Sequence, residues 1–104
     1  MAERYHQRFF SEVPLLSDVT IESKTNDLCG FNIAGPLSRD MLSRLTNSDL
    51  SNDAFPFMNS RRINLLGLDV IALRVSFTGD LGWELYCETE NAWTRRVCIY
   101  QPYL

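Results

Sequence analysis

Few side chains in these 104 residues have a type and setting suited to chemistry, and Glu84 is the first of them. It follows the turn-prone string Thr78-Gly79-Asp80-Leu81-Gly82 and lies between Trp83 and Leu85. On an alternating strand it shares a face with Tyr86. A carboxylate held against aromatic surface accepts hydrogen bonds from a donor–donor edge, such as the amidine-like edge of a 2-aminopyrimidinone ring. Aromatic rings beside it can cover the flat face of such a heterocycle. The plainer reading of Glu84 is a solvent-facing charge in a hairpin, and that of Phe77 is core. Asp80 suits turn chemistry, and Glu88 and Glu90 read as solvated charge.

Other chemistries find less support. His6 is the only histidine, so a His-rich metal site or a His-based triad has no material, and no metal ligand set is expected. The three cysteines, Cys29, Cys87 and Cys98, form no Cys-x-x-Cys pair and are odd in number. They indicate neither a disulfide framework nor a zinc knuckle but a reducing compartment, and Cys29 and Cys87, in strands, read as inert buried thiols. Gly79-Asp80-Leu81-Gly82 is not a dinucleotide fingerprint, and Gly35-Pro36 lacks the lysine of a phosphate loop. Ten basic residues face 13 acidic ones, a net charge of −3, and the bases are scattered, so no nucleic-acid partner is expected. No apolar run approaches the roughly 18 residues of a membrane span, so no membrane partner is expected. The opening Met-Ala-Glu-Arg-Tyr-His-Gln-Arg has no apolar region behind it and does not read as a signal peptide.

The elements that position these residues follow from periodicity. Residues 3–10 read as a short helix that Pro14 keeps from continuing. Residues 19–24 alternate and are rich in β-branched side chains, which predicts a strand. Asn26-Asp27 turns the chain into a second strand over 28–34. Pro36 suits the first turn of a helix carrying Leu37, Met41, Leu42 and Leu45. Strands are predicted at 61–66, 70–77 and 83–88, with Gly67 in the first turn and residues 78–82 in the second. On these strands Ile71, Leu73, Val75 and Phe77 share one face, and Trp83, Leu85 and Cys87 share another. The fold class is α+β, a mostly antiparallel sheet with helices packed on it. Residues 92–104 hold no acidic residue and no clear period, and are read as a tail.

Three strings carry a family resemblance. Asn32-Ile33-Ala34-Gly35-Pro36-Leu37-Ser38-Arg39-Asp40-Met41-Leu42 is similar to the "GP-x-S-R-x-x-L" segment of the aminomethyltransferase (glycine-cleavage T-protein) superfamily. Residues 49–58 resemble the stretch that follows it. Arg74-Val75-Ser76-Phe77-Thr78-Gly79-Asp80-Leu81-Gly82-Trp83-Glu84-Leu85-Tyr86 is similar to its "R-x-S-Y-T-G-E-x-G-W-E-L-Y" signature. With Glu3-Arg4-Tyr5-His6, the wording comes nearest to the folate domain of dimethylglycine and sarcosine dehydrogenases. The likeness runs over about residues 3–91, which divides the chain into a partial folate-binding domain, 1–91, and a divergent C-terminal tail, 92–104.

The resemblance implies tetrahydrofolate as cofactor, a small-molecule folate as partner, and transfer of a one-carbon unit to it from an amine such as dimethylglycine, sarcosine or a glycine-derived aminomethyl group. It implies that Glu84 contacts the pterin and that Phe77 lines its pocket. Phe77 stands where the family usually has tyrosine, and Asp80 where it usually has glutamate. Losing one neutral hydrogen bond weakens binding by about 1 kcal/mol. The family's catalytic aspartate lies upstream of the matching part and has no counterpart here, so no catalytic residue is assigned and the chain alone is expected to be inactive. The flavin half of the dehydrogenases has no counterpart either, so FAD belongs only to a parent dehydrogenase. The location implied is cytoplasmic, or the mitochondrial matrix in a eukaryote. An alternative reading is a non-catalytic interaction fragment that pairs with a companion chain, or with itself, through exposed sheet edges. A third, folate-dependent relatives that maintain iron–sulfur clusters, ranks last because their cysteine-containing signature is not seen.

Overall fold

Alternating side chains in four segments close one sheet. The computed structural model of the protein describes residues 2–14 and 18–90. In chain order the elements are α1 (Ala2–Glu12), β1 (Leu28–Ala34), α2 (Ser38–Ser43), β2 (Ser60–Leu65), β3 (Leu68–Leu73) and β4 (Gly82–Glu88). The strands lie in the order β1-β4-β3-β2, each pair antiparallel. The last strand is thus inserted beside the first, and β1 and β2 form the edges. This is the expected α+β class with an antiparallel sheet.

One face of the sheet builds the core. Ile63 and Leu65 of β2, Val70 and Ala72 of β3, and Trp83 and Leu85 of β4 point to the same side and are buried. Leu42 of α2, with Leu50 and Phe55 from the loop that follows it, closes over them. Trp83, Phe55 and Leu42 are the largest fully buried side chains. Truncating one such large apolar side chain typically costs about 3–5 kcal/mol. The opposite face carries Gly30, Asn32, Ile71, Leu73, Glu84 and Tyr86, which the register sets side by side. There Glu84, Tyr86, Ile71 and Leu73 are half-buried, while Gly30 and Asn32 are exposed.

Three expectations change. Residues 19–24 form no strand: Val19 and Ile21 are exposed, and the segment has no ladder partner among the described residues. β-Branched propensity is realised only where a neighbouring strand supplies pairing and burial. Instead the Lys24 carbonyl accepts from the Asp27 and Leu28 amides, and the Lys24 ammonium reaches Glu22 and Asp27. β3 stops at Leu73 rather than at 77. Beyond it the Arg74 amide donates to Asn59 O, and the Val75 amide closes a tight turn on Leu73 O. The deeply buried side of β3 is also the alternate one, Leu68, Val70 and Ala72, continued by Arg74.

α1 extends two residues beyond the expected helix and all of its described side chains are exposed. It is tied to the chain at residue 23, where the Ser23 hydroxyl donates to Glu3 Oε1 at 2.6 Å. α2 is shorter than its apolar period suggested, and Leu37 is left exposed. The tail expected from residue 92 lies outside the described residues.

Candidate functional site

The strings singled out in the sequence first build a knot below the sheet. Where β1 leaves the sheet, the Gly35 amide donates to Leu81 O at 2.8 Å. The Ser38 hydroxyl lies 2.6 Å from Gly35 O and 3.0 Å from Leu81 O, and its one proton serves either carbonyl. Ser38 thereby fastens the start of α2 to the turn before β4. Gly82 is required by close approach: a Cβ there would stand 2.8 Å from Ile33 O and 3.1 Å from Ser76 Cβ.

The two arginines of the strings converge on Trp83. Arg74 is 9% exposed; its Nη1 donates to Phe55 O at 2.8 Å and its Nη2 to Asn52 Oδ1 at 3.1 Å. Arg39 donates from Nε to Leu50 O at 3.1 Å and from Nη2 to the same Asn52 oxygen at 2.6 Å. Their guanidinium carbons lie 5.0 Å (Arg74) and 5.9 Å (Arg39) from the centre of the Trp83 ring, within cation–π range. Burial, and next the charge of Arg39, push the Arg74 pKa down. The Trp83 indole N–H is buried without a hydrogen-bond partner among the described residues. These residues are a scaffold that locks β4 to the loop 46–59.

Glu84 follows Trp83 directly and therefore emerges on the opposite face of β4. Across the sheet it is opposed by Asn32 on β1 and by Leu73 on β3. Its Oε2 accepts a 2.8 Å hydrogen bond from the Tyr86 phenol. That bond, then partial burial and the carboxylate's charge, hold the phenol above the ordinary tyrosine range. An apolar-walled cavity of about 580 Å³ lies along β1 and the start of α2, lined among others by Asn32, Ile33, Pro36, Leu37 and Met41. Glu84 does not line this cavity; its register partner Asn32 does.

The remaining candidates are placed as follows. Phe77 is 97% exposed in the loop between β3 and β4, so its core reading does not hold and its ring is open to solvent. Asp80 Oδ2 accepts from the Thr78 hydroxyl at 2.7 Å, which is turn chemistry. Glu88 and Glu90 are exposed. His6 is exposed and packs edge-on against Tyr5 at 5.8 Å. Cys29 and Cys87 face each other across β1 and β4 as free thiols, Cys87 buried and Cys29 half-buried. No group of three or more His, Cys, Asp or Glu that could hold a metal occurs among the described residues. No helix among them is long and apolar enough to cross a membrane. Sequence reasoning missed the roles of Arg39, Asn52 and Arg74. The one available signal was that Arg74 continues the apolar alternation of Leu68, Val70 and Ala72.

The chain is 43% identical over 77 residues to mouse mitochondrial dimethylglycine dehydrogenase, covering 74% of this chain and 9% of the relative. It is 47% identical over 62 residues to mouse mitochondrial sarcosine dehydrogenase, 60% of this chain and 7% of the relative. An aminomethyltransferase of Anoxybacillus flavithermus is 34% identical over 78 residues, 75% of this chain and 21% of the relative. The chain thus spans less than a tenth of the length of these dehydrogenases. The family described as the GCVT N-terminal domain matches residues 1–97, and the chain belongs to that family.

Proposed function

We propose that this chain is part of a tetrahydrofolate-binding aminomethyl-transfer domain, and that Glu84 receives the donor edge of the pterin. The observation that carries the reading is the setting of Glu84: a half-buried carboxylate beside a tyrosine, on the sheet face turned away from the core. The donor set fits the ligand. An ionised carboxylate has about four acceptor positions. Tyr86 occupies one, which leaves enough for the two parallel N–H groups of a 2-aminopyrimidinone. Tetrahydrofolate supplies the nitrogen that accepts the one-carbon unit. The chain's own contribution is to orient the ring, by charge-assisted hydrogen bonds that fix its plane and direction. Phe77 is proposed to close over the ring from the loop between β3 and β4, by contact alone, because it has no hydroxyl.

The parent protein is proposed to transfer a one-carbon unit from an amine, and the names of the dehydrogenase relatives support dimethylglycine or sarcosine as the kind of donor. Those relatives are named as mitochondrial, which supports the mitochondrial matrix as the location. The 104 residues alone are proposed to hold the ring without turning it over, because the family's catalytic aspartate has no counterpart in them. Titration calorimetry with tetrahydrofolate tests the reading. Binding by the chain, weakened in Glu84→Ala at a little-changed melting temperature, is the expected result. Equal affinity of the two forms, or no heat with either, overturns it. Formation of methylene-tetrahydrofolate at the rate of a full-length relative would overturn the inactive-alone part.

A second reading is favoured by the edges β1 and β2, which no further strand pairs among the described residues, together with the exposed apolar side chains Leu37, Phe57 and Met58. An open edge offers unpaired backbone groups to another strand. In that reading the chain is an interaction fragment that pairs with another chain or with itself. Gel filtration separates the two, since a monomer with a cooperative melt speaks against association.

A further inference from the structure

We propose that Tyr86 is a positioning residue: it holds the Glu84 carboxylate in one orientation on the sheet and leaves its other acceptor positions presented to ligand. The inference rests on the folate reading of Glu84 and deepens it by assigning a second residue to that site.

Three observations carry it. The phenol oxygen lies 2.8 Å from Glu84 Oε2, between side chains two residues apart on one strand, so the tyrosine reaches back along β4 to the carboxylate. The ring itself has a fixed seat. Gly30 is its register partner on β1, and a Cβ at Gly30 would fall 3.0 Å from Tyr86 Cε1 and 3.3 Å from Cδ1. The ring therefore lies across the bare glycine, and Ile71 is its partner on the other side. A Cβ at residue 30 would press the ring back by a few tenths of an ångström. Finally, Glu84 and Tyr86 are both half-buried, so water competes less for the bond than on an open surface.

The physical effect is preorganisation. A glutamate has three rotatable bonds, and an unsupported carboxylate samples many orientations before a ligand selects one. A hydrogen bond to Oε2 removes much of that freedom in advance, so less is lost on binding. It also sets direction: with one lone pair of Oε2 turned toward Tyr86, the plane of the carboxylate is fixed, and Oε1 and the second lone pair of Oε2 are left to meet the two parallel N–H groups. The phenol must keep its proton to act in this way, and it does so throughout the neutral range because its titration lies above that of ordinary tyrosine.

The test uses the full 104-residue chain with Tyr86→Phe, which keeps the ring on Gly30 and removes only the hydroxyl. Tetrahydrofolate is the probe, and the melting temperature is the control. The expected result is affinity weakened about tenfold, the cost of ordering one carboxylate side chain at binding, with a melting temperature lowered by no more than about 8 °C, as for loss of one intramolecular hydrogen bond. A readout that needs no ligand accompanies it. Carbon-13 NMR of tyrosine-labelled chain should show Tyr86 ionising at higher pH than in Glu84→Gln. Equal tetrahydrofolate affinity of wild type and Tyr86→Phe overturns the positioning role alone. A Tyr86 signal that titrates identically with and without the Glu84 charge shows that the bond is absent in solution and overturns it as well. A wild-type chain with the late-titrating phenol but no affinity for tetrahydrofolate overturns the folate reading and removes the role assigned to Tyr86 toward that ligand.

Discussion

Replacing Arg74 by alanine tests whether the family strings serve chiefly as scaffold. The guanidinium is the hydrogen-bond donor to Phe55 O and one of two donors to Asn52 Oδ1, and it stacks on the buried Trp83 ring. A buried carbonyl left without its donor costs about 1–3 kcal/mol. Losing a desolvated cation–π contact adds about 1–2 kcal/mol. Asn52 keeps its bond from Arg39 and adds little. Against these stands the relief of a charge held with its pKa pushed down by burial and by Arg39. The net expectation is a loss of about 2–4 kcal/mol. For a domain of this size that is a fall in melting temperature of roughly 10–25 °C. Urea unfolding followed by far-ultraviolet circular dichroism, at neutral pH, is the assay. Arg74→Lys should recover less than half, because an ammonium neither stacks as a plane nor spans both acceptors. A loss under about 1 kcal/mol for alanine, or full recovery with lysine, would refute the clamp.

Further outcomes follow from single distances and angles. Gly82→Ala forces a Cβ to within 2.8 Å of the Ile33 carbonyl, a backbone atom, and should destabilise by about 2 kcal/mol or more in the same urea assay. Leu66 holds φ at 52° in the two-residue turn between β2 and β3, so Leu66→Asn should raise stability by about 0.5–1 kcal/mol. An unchanged or lower urea midpoint would contradict that. Burial, and next the neighbouring Cys29, push the Cys87 thiol pKa up. The folded state then keeps this proton longer than the unfolded chain does. The contribution is therefore whole below the ordinary thiol value of about 8.5 and is lost as pH rises through the folded value. At pH 8, Cys87 should alkylate slowly until the chain is unfolded in urea, as read by mass spectrometry. Prompt labelling of the native protein would contradict the burial.

What the sequence revealed, and what it hid, divides along a physical line. β1, β2 and β4 were legible because each alternates and each finds a partner, so local pattern and tertiary pairing agree. Residues 19–24 alternate equally well, yet no strand among the described residues pairs with them, and pairing is not written in a local pattern. The end of β3 was misplaced for a related reason: Val75 and Phe77 continue the apolar alternation, while the backbone turns on Leu73 O. Glu84 stands out in the sequence because its type, its aromatic neighbours and the family string coincide. Arg39 and Arg74 were visible as letters of the strings, and their common function was not, because it depends on Asn52 meeting both and on Trp83 lying beneath them. Gly30 and Tyr86 stand 56 positions apart, and only the register of β1 against β4 brings one across the other.

Carbon-13 NMR of the side-chain carboxyls, recorded while tetrahydrofolate is added, tests most directly whether Glu84 receives the pterin. The account predicts that the Glu84 signal shifts progressively to saturation while that of Glu88, on the same face of β4 but beyond Tyr86, stays in place. A Glu84 signal unmoved by tetrahydrofolate, or one that moves no more than Glu88, would contradict it.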